Sequence, residues 1–370
     1  MKVICDRGAL VESLGLVGGV VVSRTPKPVL TCVKLTAGGE DSGGGLMLEA
    51  TDTEVSVRFS TPRVEVAEPG AALIPADKLQ QIVRESIDAT LTLHTEQDVA
   101  HIVGKDSKFK IYGHPPTDFP DTAKFTGDAD FTINAGDLHR LIAQTLFATA
   151  RENSRYAING VLIERNGKHL AVVATDGHRL ALAKGTCKTT NEEKRSAIVP
   201  TKALNLLLKL FDDADQTVDV KIADNQILFK TDDATLVSNL VEGNFPPYAD
   251  VIPKDGDKKA SLATDLFISA VRRAALLTNE ESKGVRMAFG EDGLTITSRA
   301  PEMGEAEIHV EVPEYAGEPV EIGFNPAYLL DALKVVDESQ IHLELKGSNK
   351  PGVLRTGPNF LYVVMPVNLQ

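Results

Sequence analysis

The chain has 370 residues, 42% of them apolar, a formal net charge of −13, three cysteines and no tryptophan. That length leaves room for two or three domains with cores of their own, and the acidic balance excludes indiscriminate binding of nucleic acid over the whole surface, though not a basic patch on one face. Cys5, Cys32 and Cys187 are far apart without metal-ligand spacing, no apolar run reaches the length of a membrane span, and Asp6 and Glu12 ahead of the run at 14–22 do not suit an export signal, so a cytoplasmic, reducing compartment is expected.

Taken in order, residues 7–17 carry Leu10, Val11, Leu14 and Val17 at helical spacing. Residues 40–45, EDSGGG, read as a loop insertion whose glycines follow no phosphate-cradling pattern. Residues 46–58, LMLEATDTEVSVR, are an apolar run, an Ala-Thr-Asp break and an apolar exit. Residues 71–86, AALIPADKLQQIVRES, read as a strand ending at Pro75, suited to a helix's first turn, and then a helix with Leu79, Ile82 and Val83 on one face. Alternating runs at 90–95, 99–103 and 108–112 predict strands. A linker rich in Pro and Asp follows at 115–126.

The series then repeats. A helix is predicted over 137–149 (Leu138, Leu141, Ile142, Leu146), and residues 170–184, LAVVATDGHRLALAK, reproduce the Ala-Thr-Asp stretch. Residues 196–211 reproduce strand, proline (Pro200) and helix, and strands follow at 218–222 and 226–230. After a second linker at 245–259 come a helix over 265–277 with Thr264 as its N-cap, a third strand-proline-helix segment at 320–335 around Pro326, and a strand at 341–346. The copies are about 124 residues apart, a domain-sized period. The expected fold is α+β: three repeated domains of two helices and about eight strands each, over residues 1–125, 126–253 and 254–370.

Asp176-Gly177 between alternating runs is a hairpin signal, with His178 and Arg179 at the tip. Asp176 and His178 are either turn chemistry or an acid/base pair, as in a hydrolase. The first copy has Thr53 and Glu54 in place of Gly177 and His178, so the frame is architectural and any role of His178 is local to the second copy. No P-loop, dinucleotide-binding, zinc-protease or serine-hydrolase motif occurs.

Three repeated units, the stretch ATDGHRL, the segments SRYAING (154–160), SAIVP (196–200), FPPYADVIP (245–253), RAALLTNE (273–280), GVR (284–286) and IGFN (322–325), and the ending YVVMP (362–366) closely resemble the bacterial β sliding clamps, the processivity subunits of DNA polymerase III. The resemblance covers essentially the whole chain. It implies a head-to-tail homodimer closed into a ring around double-stranded DNA, helices lining the hole and sheets outside, with no enzymatic activity, cofactor or metal. DNA would be held without sequence specificity, since phosphate contacts without base readout permit sliding.

The same resemblance assigns residues. Arg24, Lys78, Arg84, Arg151, Tyr156 and Lys202 would face DNA; the family often has a second aromatic after Tyr156, where this chain has Ala157. A cleft for short peptides of the polymerase catalytic subunit, the clamp loader and other clamp-binding proteins would be walled by Arg155, Thr175, Gly177, His178, Arg179 and Leu180, by Pro246 and Val251, by Asn325 and Tyr328, and by Val363, Val364, Met365 and Pro366. Two departures bear on peptide preference: Val367 stands where the family often has Met, and Asp250 where a basic residue can lie. At the seam, Phe109 and Ile111 would meet Leu276 and Leu277, with Lys105, Lys108 and Lys110 facing Glu302, Glu305 and Glu307.

Overall fold

The computed structural model describes residues 1–39, 43–150, 157–211, 213–278, 284–301 and 303–368. Arg151, Arg155, Tyr156 and Glu302 lie outside the described residues. The first repeat runs β1 (Lys2–Asp6), α1 (Arg7–Gly18), β2 (Cys32–Ala37), β3 (Leu46–Thr51), β4 (Val55–Thr61), β5 (Val64–Glu68), β6 (Gly70–Pro75), α2 (Ala76–Glu85), β7 (Thr90–Glu96), β8 (Val99–Val103) and β9 (Lys108–Tyr112). The second runs β10 (Phe131–Asn134), α3 (Ala135–Leu146), β11 (Gly160–Asn166), β12 (His169–Thr175), β13 (Arg179–Thr186), β14 (Arg195–Pro200), α4 (Thr201–Leu210), β15 (Thr217–Ile222), β16 (Gln226–Lys230) and β17 (Ala234–Asn239). A single turn, α5 (Tyr248–Val251), leads to the third: β18 (Lys258–Ala263), α6 (Thr264–Ala275), β19 (Val285–Gly290), β20 (Gly293–Ala300), β21 (Gly304–Val310), β22 (Glu314–Ala316), β23 (Val320–Phe324), α7 (Pro326–Leu333), β24 (Gln340–Leu345), β25 (Gly352–Thr356) and β26 (Phe360–Val364).

The helices form where apolar residues recur at three- and four-residue intervals. α2 buries Ala76, Leu79 and Val83, and α6 buries Phe267, Ala270, Val271 and Ala274. Each large apolar side chain so buried is worth about 1.5–3 kcal/mol. Asp6 caps α1 by accepting the Ala9 N–H at 2.7 Å, and Asn325 caps α7 by accepting the Ala327 N–H at 2.9 Å. Thr264 is not the cap of α6: Ala263 holds that position, and the Thr264 hydroxyl donates to the Glu338 carbonyl at 2.6 Å. Only Pro326 of the three periodic prolines opens its helix; Pro75 and Pro200 are the last residues of β6 and β14. The three cysteines are free and buried, and burial, then nearby Asp6, pushes the Cys5 thiol up to about 12.

The packing does not follow the repeats. One compact unit comprises residues 1–136, 188–191 and 202–240; the other comprises 137–187, 192–201 and 241–370. The central repeat is therefore shared. In the first unit β10-β15-β16-β17 join β4-β3-β2-β6 as an eight-stranded sheet, sewn together where β17 pairs antiparallel with β4 (Leu236 opposite Val57). In the second, β14-β11-β12-β13 join β26-β25-β24-β18-β22 as a nine-stranded sheet, sewn where β13 pairs with β26 (Leu180 opposite Val363). A five-stranded sheet, β5-β1-β7-β8-β9, ends at β9 in the first unit, and a four-stranded sheet, β21-β20-β19-β23, ends at β21 in the second.

Candidate functional site

The turn before β13 has a twin before β4, hydrogen bond for hydrogen bond. The Thr51 hydroxyl donates to the Val55 carbonyl at 2.9 Å, and the Thr175 hydroxyl donates to that of Arg179 at 2.7 Å. Asp52 Oδ1 accepts the N–H groups of Glu54 and Val55; Asp176 Oδ1 accepts those of His178 and Arg179 at 2.9 and 3.0 Å. Gly177 sits at φ +87°, where its counterpart Thr53 is held at +79°. Asp176 is thus turn chemistry: its other oxygen accepts Arg179 Nε at 3.0 Å, so it stands to Arg179, not to the imidazole of His178, as a carboxylate partner.

Arg179 is the centre of this region. Its side chain is only 10% exposed. Beyond Asp176, Nη1 donates to Asp331 of α7 at 2.8 Å and Nη2 to the Phe147 carbonyl at 2.8 Å. The guanidinium lies over the Tyr328 ring at 4.5 Å and the Phe147 ring at 5.5 Å. Burial works against its charge, but Asp331, Tyr362 and Asp176 more than offset this and hold its pKa above the usual value. Tyr362, on β26, is fully buried and donates to the Tyr328 carbonyl at 2.8 Å. Burial raises its hydroxyl well above the ordinary phenol range, against the pull of Arg179.

Around this node the second unit gathers most of the residues assigned to the peptide cleft. Arg179 lies opposite Val364 and Leu180 opposite Val363, and the Met365 N–H donates to the His178 carbonyl at 2.9 Å. The His178 ring meets Tyr328 edge-on, with centroids 6.4 Å apart. Leu180 and Val363 face the other side of the sheet, in a cluster with Val173, Leu182 and Leu361 against which Phe245, Tyr248 and Ile252 pack. The residues expected as one wall therefore divide between two faces. Asn325 and Tyr328 accompany Arg179 on the helix face, while the segment carrying Pro246 and Val251 covers the Leu180 face. Exposure divides them again: Gly177, His178, Val251 (56%) and Met365 (43%) are open, Pro246, Asn325, Tyr328 and Pro366 are half-buried, and Thr175, Leu180, Val363 and Val364 are buried. Arg179 positions its neighbours more than it offers surface.

Comparison with known proteins decides the family. Sequence models of the DNA polymerase III β subunit match throughout: the N-terminal domain over residues 1–123, the central domain over 132–247 and the C-terminal domain over 249–368. The β sliding clamps of Pseudomonas aeruginosa and Escherichia coli K12 are 36% and 34% identical to this chain over 372 residues, with all of each chain covered. The crystal structure of the Bacillus subtilis sliding clamp matches over 100% of both chains with a TM-score of 0.94 at 29% identity, and that of the Pseudomonas aeruginosa β subunit over 100% of both at 0.92 and 36%. This chain belongs to the β sliding clamp family.

In this clamp the remaining assigned residues fall as follows. Arg24 is exposed in the loop after α1, and Lys78 and Arg84 are exposed on α2. Lys202, at the start of α4, is tied to Asp52, the carboxylate of the first Ala-Thr-Asp turn, so its charge is partly spent within the chain. Lys209 is exposed in the last turn of α4, at the same offset from its proline as Arg84 in α2. Arg272 and Arg273 are likewise exposed in the last turn of α6.

At the expected seam Phe109 is 39% and Leu276 72% exposed, and Leu277 is half-buried, but Ile111 is 8% exposed and already packed within its own sheet. Lys105, Lys108 and Lys110 are exposed on or beside β9. Glu305 pairs with Arg299 at 3.1 Å, which dilutes the acidic charge of β21, and a ring nitrogen of His309 lies 3.1 Å from Glu307.

Proposed function

We propose that two copies of this sliding clamp close head to tail into a ring around duplex DNA and hold polymerase subunits to it through short peptides. The observation that carries the reading is the repeated sheet joint. β4 and β13 are equivalent strands, each following an Ala-Thr-Asp turn, and β17 and β26 are equivalent last strands of their repeats. β4 pairs with β17 and β13 with β26, so each repeat hands its middle strand to the last strand of the next. The third repeat's middle strand is β21 and the first repeat's last strand is β9, and both are sheet edges. The same joint made once more joins β21 of one copy to β9 of another. Unpaired edges seek partners, and a heterologous joint that closes after two copies gives a ring of six similar domains. Pairing β9 with itself would instead set Lys108 and Lys110 against like charges.

The reading keeps the three domains of 1–125, 126–253 and 254–370, with the joints falling within sheets rather than at those boundaries. Lys78, Arg84, Lys202 and Lys209, with Arg24, supply a diffuse positive lining for phosphates. His178, Tyr328 and Met365 present an aromatic and thioether surface, pliable enough for several peptides. The role is binding rather than catalysis, carried out in the cytoplasm.

The test is the oligomeric state. Native chain should sediment as a dimer, and Leu276→Asp with Leu277→Asp should yield folded monomers, because each lost apolar contact costs about 1.5–3 kcal/mol and the new carboxylates add desolvation. A double variant that stays dimeric at nanomolar dilution would remove β9 and β21 as the joint.

A further inference from the structure

We propose that His94, Glu96 and His101 form a binding site for a divalent first-row transition-metal ion of the zinc class, on the solvent-facing side of the five-stranded sheet. His94 on β7 and His101 on β8 are direct cross-strand partners. Their rings stack with centroids 4.7 Å apart and planes 8° from parallel. Glu96 is two residues beyond His94, on the same face of β7. A nitrogen from each ring and a carboxylate oxygen all lie within 4.8 Å of one another. All three side chains come from one hairpin, closed by a tight turn with Gln97 at φ +53°. The site therefore does not rest on the ring or on the joint between copies.

The scaffold is rigid enough to hold such a set. The opposite face of the hairpin carries Leu91, Leu93, Ala100 and Ile102, each 1% exposed, so the strands cannot rotate to splay the ligands. Two imidazoles and one carboxylate are the mixed nitrogen and oxygen set that suits zinc, nickel, cobalt or copper; magnesium and calcium prefer oxygen alone. Binding one ion asks the two stacked rings to turn about their side-chain bonds until a nitrogen of each converges on it at Zn–N distances of about 2.0–2.1 Å, with water completing the shell. The buried cysteines do not compete for a soft metal at the surface.

The neighbouring charges bear on the affinity. Lys2 on β1 lies opposite His94, and Lys110 on β9 lies opposite His101, with its ammonium 5.3 Å over the Tyr112 ring. Glu96 is the anionic member. The ion is held through the ring nitrogens of the two imidazoles and a carboxylate oxygen of Glu96. The flanking ammonium groups oppose a cation and hold the affinity below that of a closed structural zinc site.

The test uses tag-free full-length protein and Zn²⁺ or Co²⁺ as the probe. Calorimetry near neutral pH should give one ion per chain, with binding unaffected by excess Mg²⁺. His94→Gln with His101→Gln should abolish it, and Glu96→Gln should weaken it, with circular dichroism unchanged because all three side chains point away from the core. In the wild type, Zn²⁺ should perturb the ring signals of two of the eight histidines, which tests the site without any variant. No saturation below about millimolar metal, binding that survives the double variant, or perturbation of other histidines would each overturn the proposal.

Discussion

At the scale of single residues, Arg179 does the most. Its guanidinium ties the turn (Asp176), α7 (Asp331) and the end of α3 (the Phe147 carbonyl) into one node, and the Tyr328 ring rests on it. A lysine cannot copy a planar fork that donates in three directions. Arg179→Ala and Arg179→Lys should both lower the melting temperature, with a loss of about 2–4 kcal/mol for alanine, since a partly buried cation with two carboxylates leaves charges unpaired when it goes. Both should weaken binding of a polymerase-derived peptide by displacing Tyr328 and His178. Wild-type melting of Arg179→Ala would show the network to be incidental. The sequence marked Arg179 as belonging to this region but not as buried, because Asp331 and Phe147 are about 150 and 30 positions away and no local pattern points to them. His94 and His101 were closer to legible: the predicted strands at 90–95 and 99–103 form a hairpin whose register sets the two opposite each other.

At the scale of elements, the helices and most strands could be read from periodicity, because alternation and helical spacing are properties of a few adjacent residues. Strands predicted at 99–103, 108–112 and 226–230 match β8, β9 and β16 residue for residue. Termini were read less well: Thr264 looked like a cap, but its hydroxyl is drawn to the Glu338 carbonyl, a partner from another element. The twin turns offer a test of local strain. Thr53 is β-branched and holds a left-handed φ of +79°, where glycine is at ease. Thr53→Gly should therefore stabilise by a few tenths of a kcal/mol up to about 1 kcal/mol, the relief of strain exceeding glycine's entropic cost. Gly177→Thr should destabilise by about 1–2 kcal/mol although nothing lies within 4 Å of the position a Cβ would take, since the penalty is in the backbone and not in a clash. If chemical denaturation shows Thr53→Gly to be the less stable protein, the hydrogen bonds of that turn depend on the threonine more than on its φ.

At the scale of the molecule, the period of about 124 residues was legible and the division of the central repeat was not. A repeat says which strands are equivalent, whereas pairing across repeats is decided by which sheet edges are left open, a long-range matter. Encirclement makes a prediction that contacts alone do not. A chain with net charge −13, whose candidate DNA-facing cation Lys202 is already paired with Asp52, should bind short linear duplexes weakly, and that binding should fall steeply with salt as phosphate contacts are lost. A closed ring should remain on circular DNA at the same salt, because leaving requires a seam to open and not merely phosphates to be released. Cutting the circle once should then let it slide off the ends. The experiment loads the protein onto nicked circles with an ATP-driven clamp loader, raises the salt and compares retention before and after linearisation. Retention on circles with loss on linear DNA supports topological linkage; equal retention on both would mean that surface contacts hold the protein in place, and the ring would have to be given up.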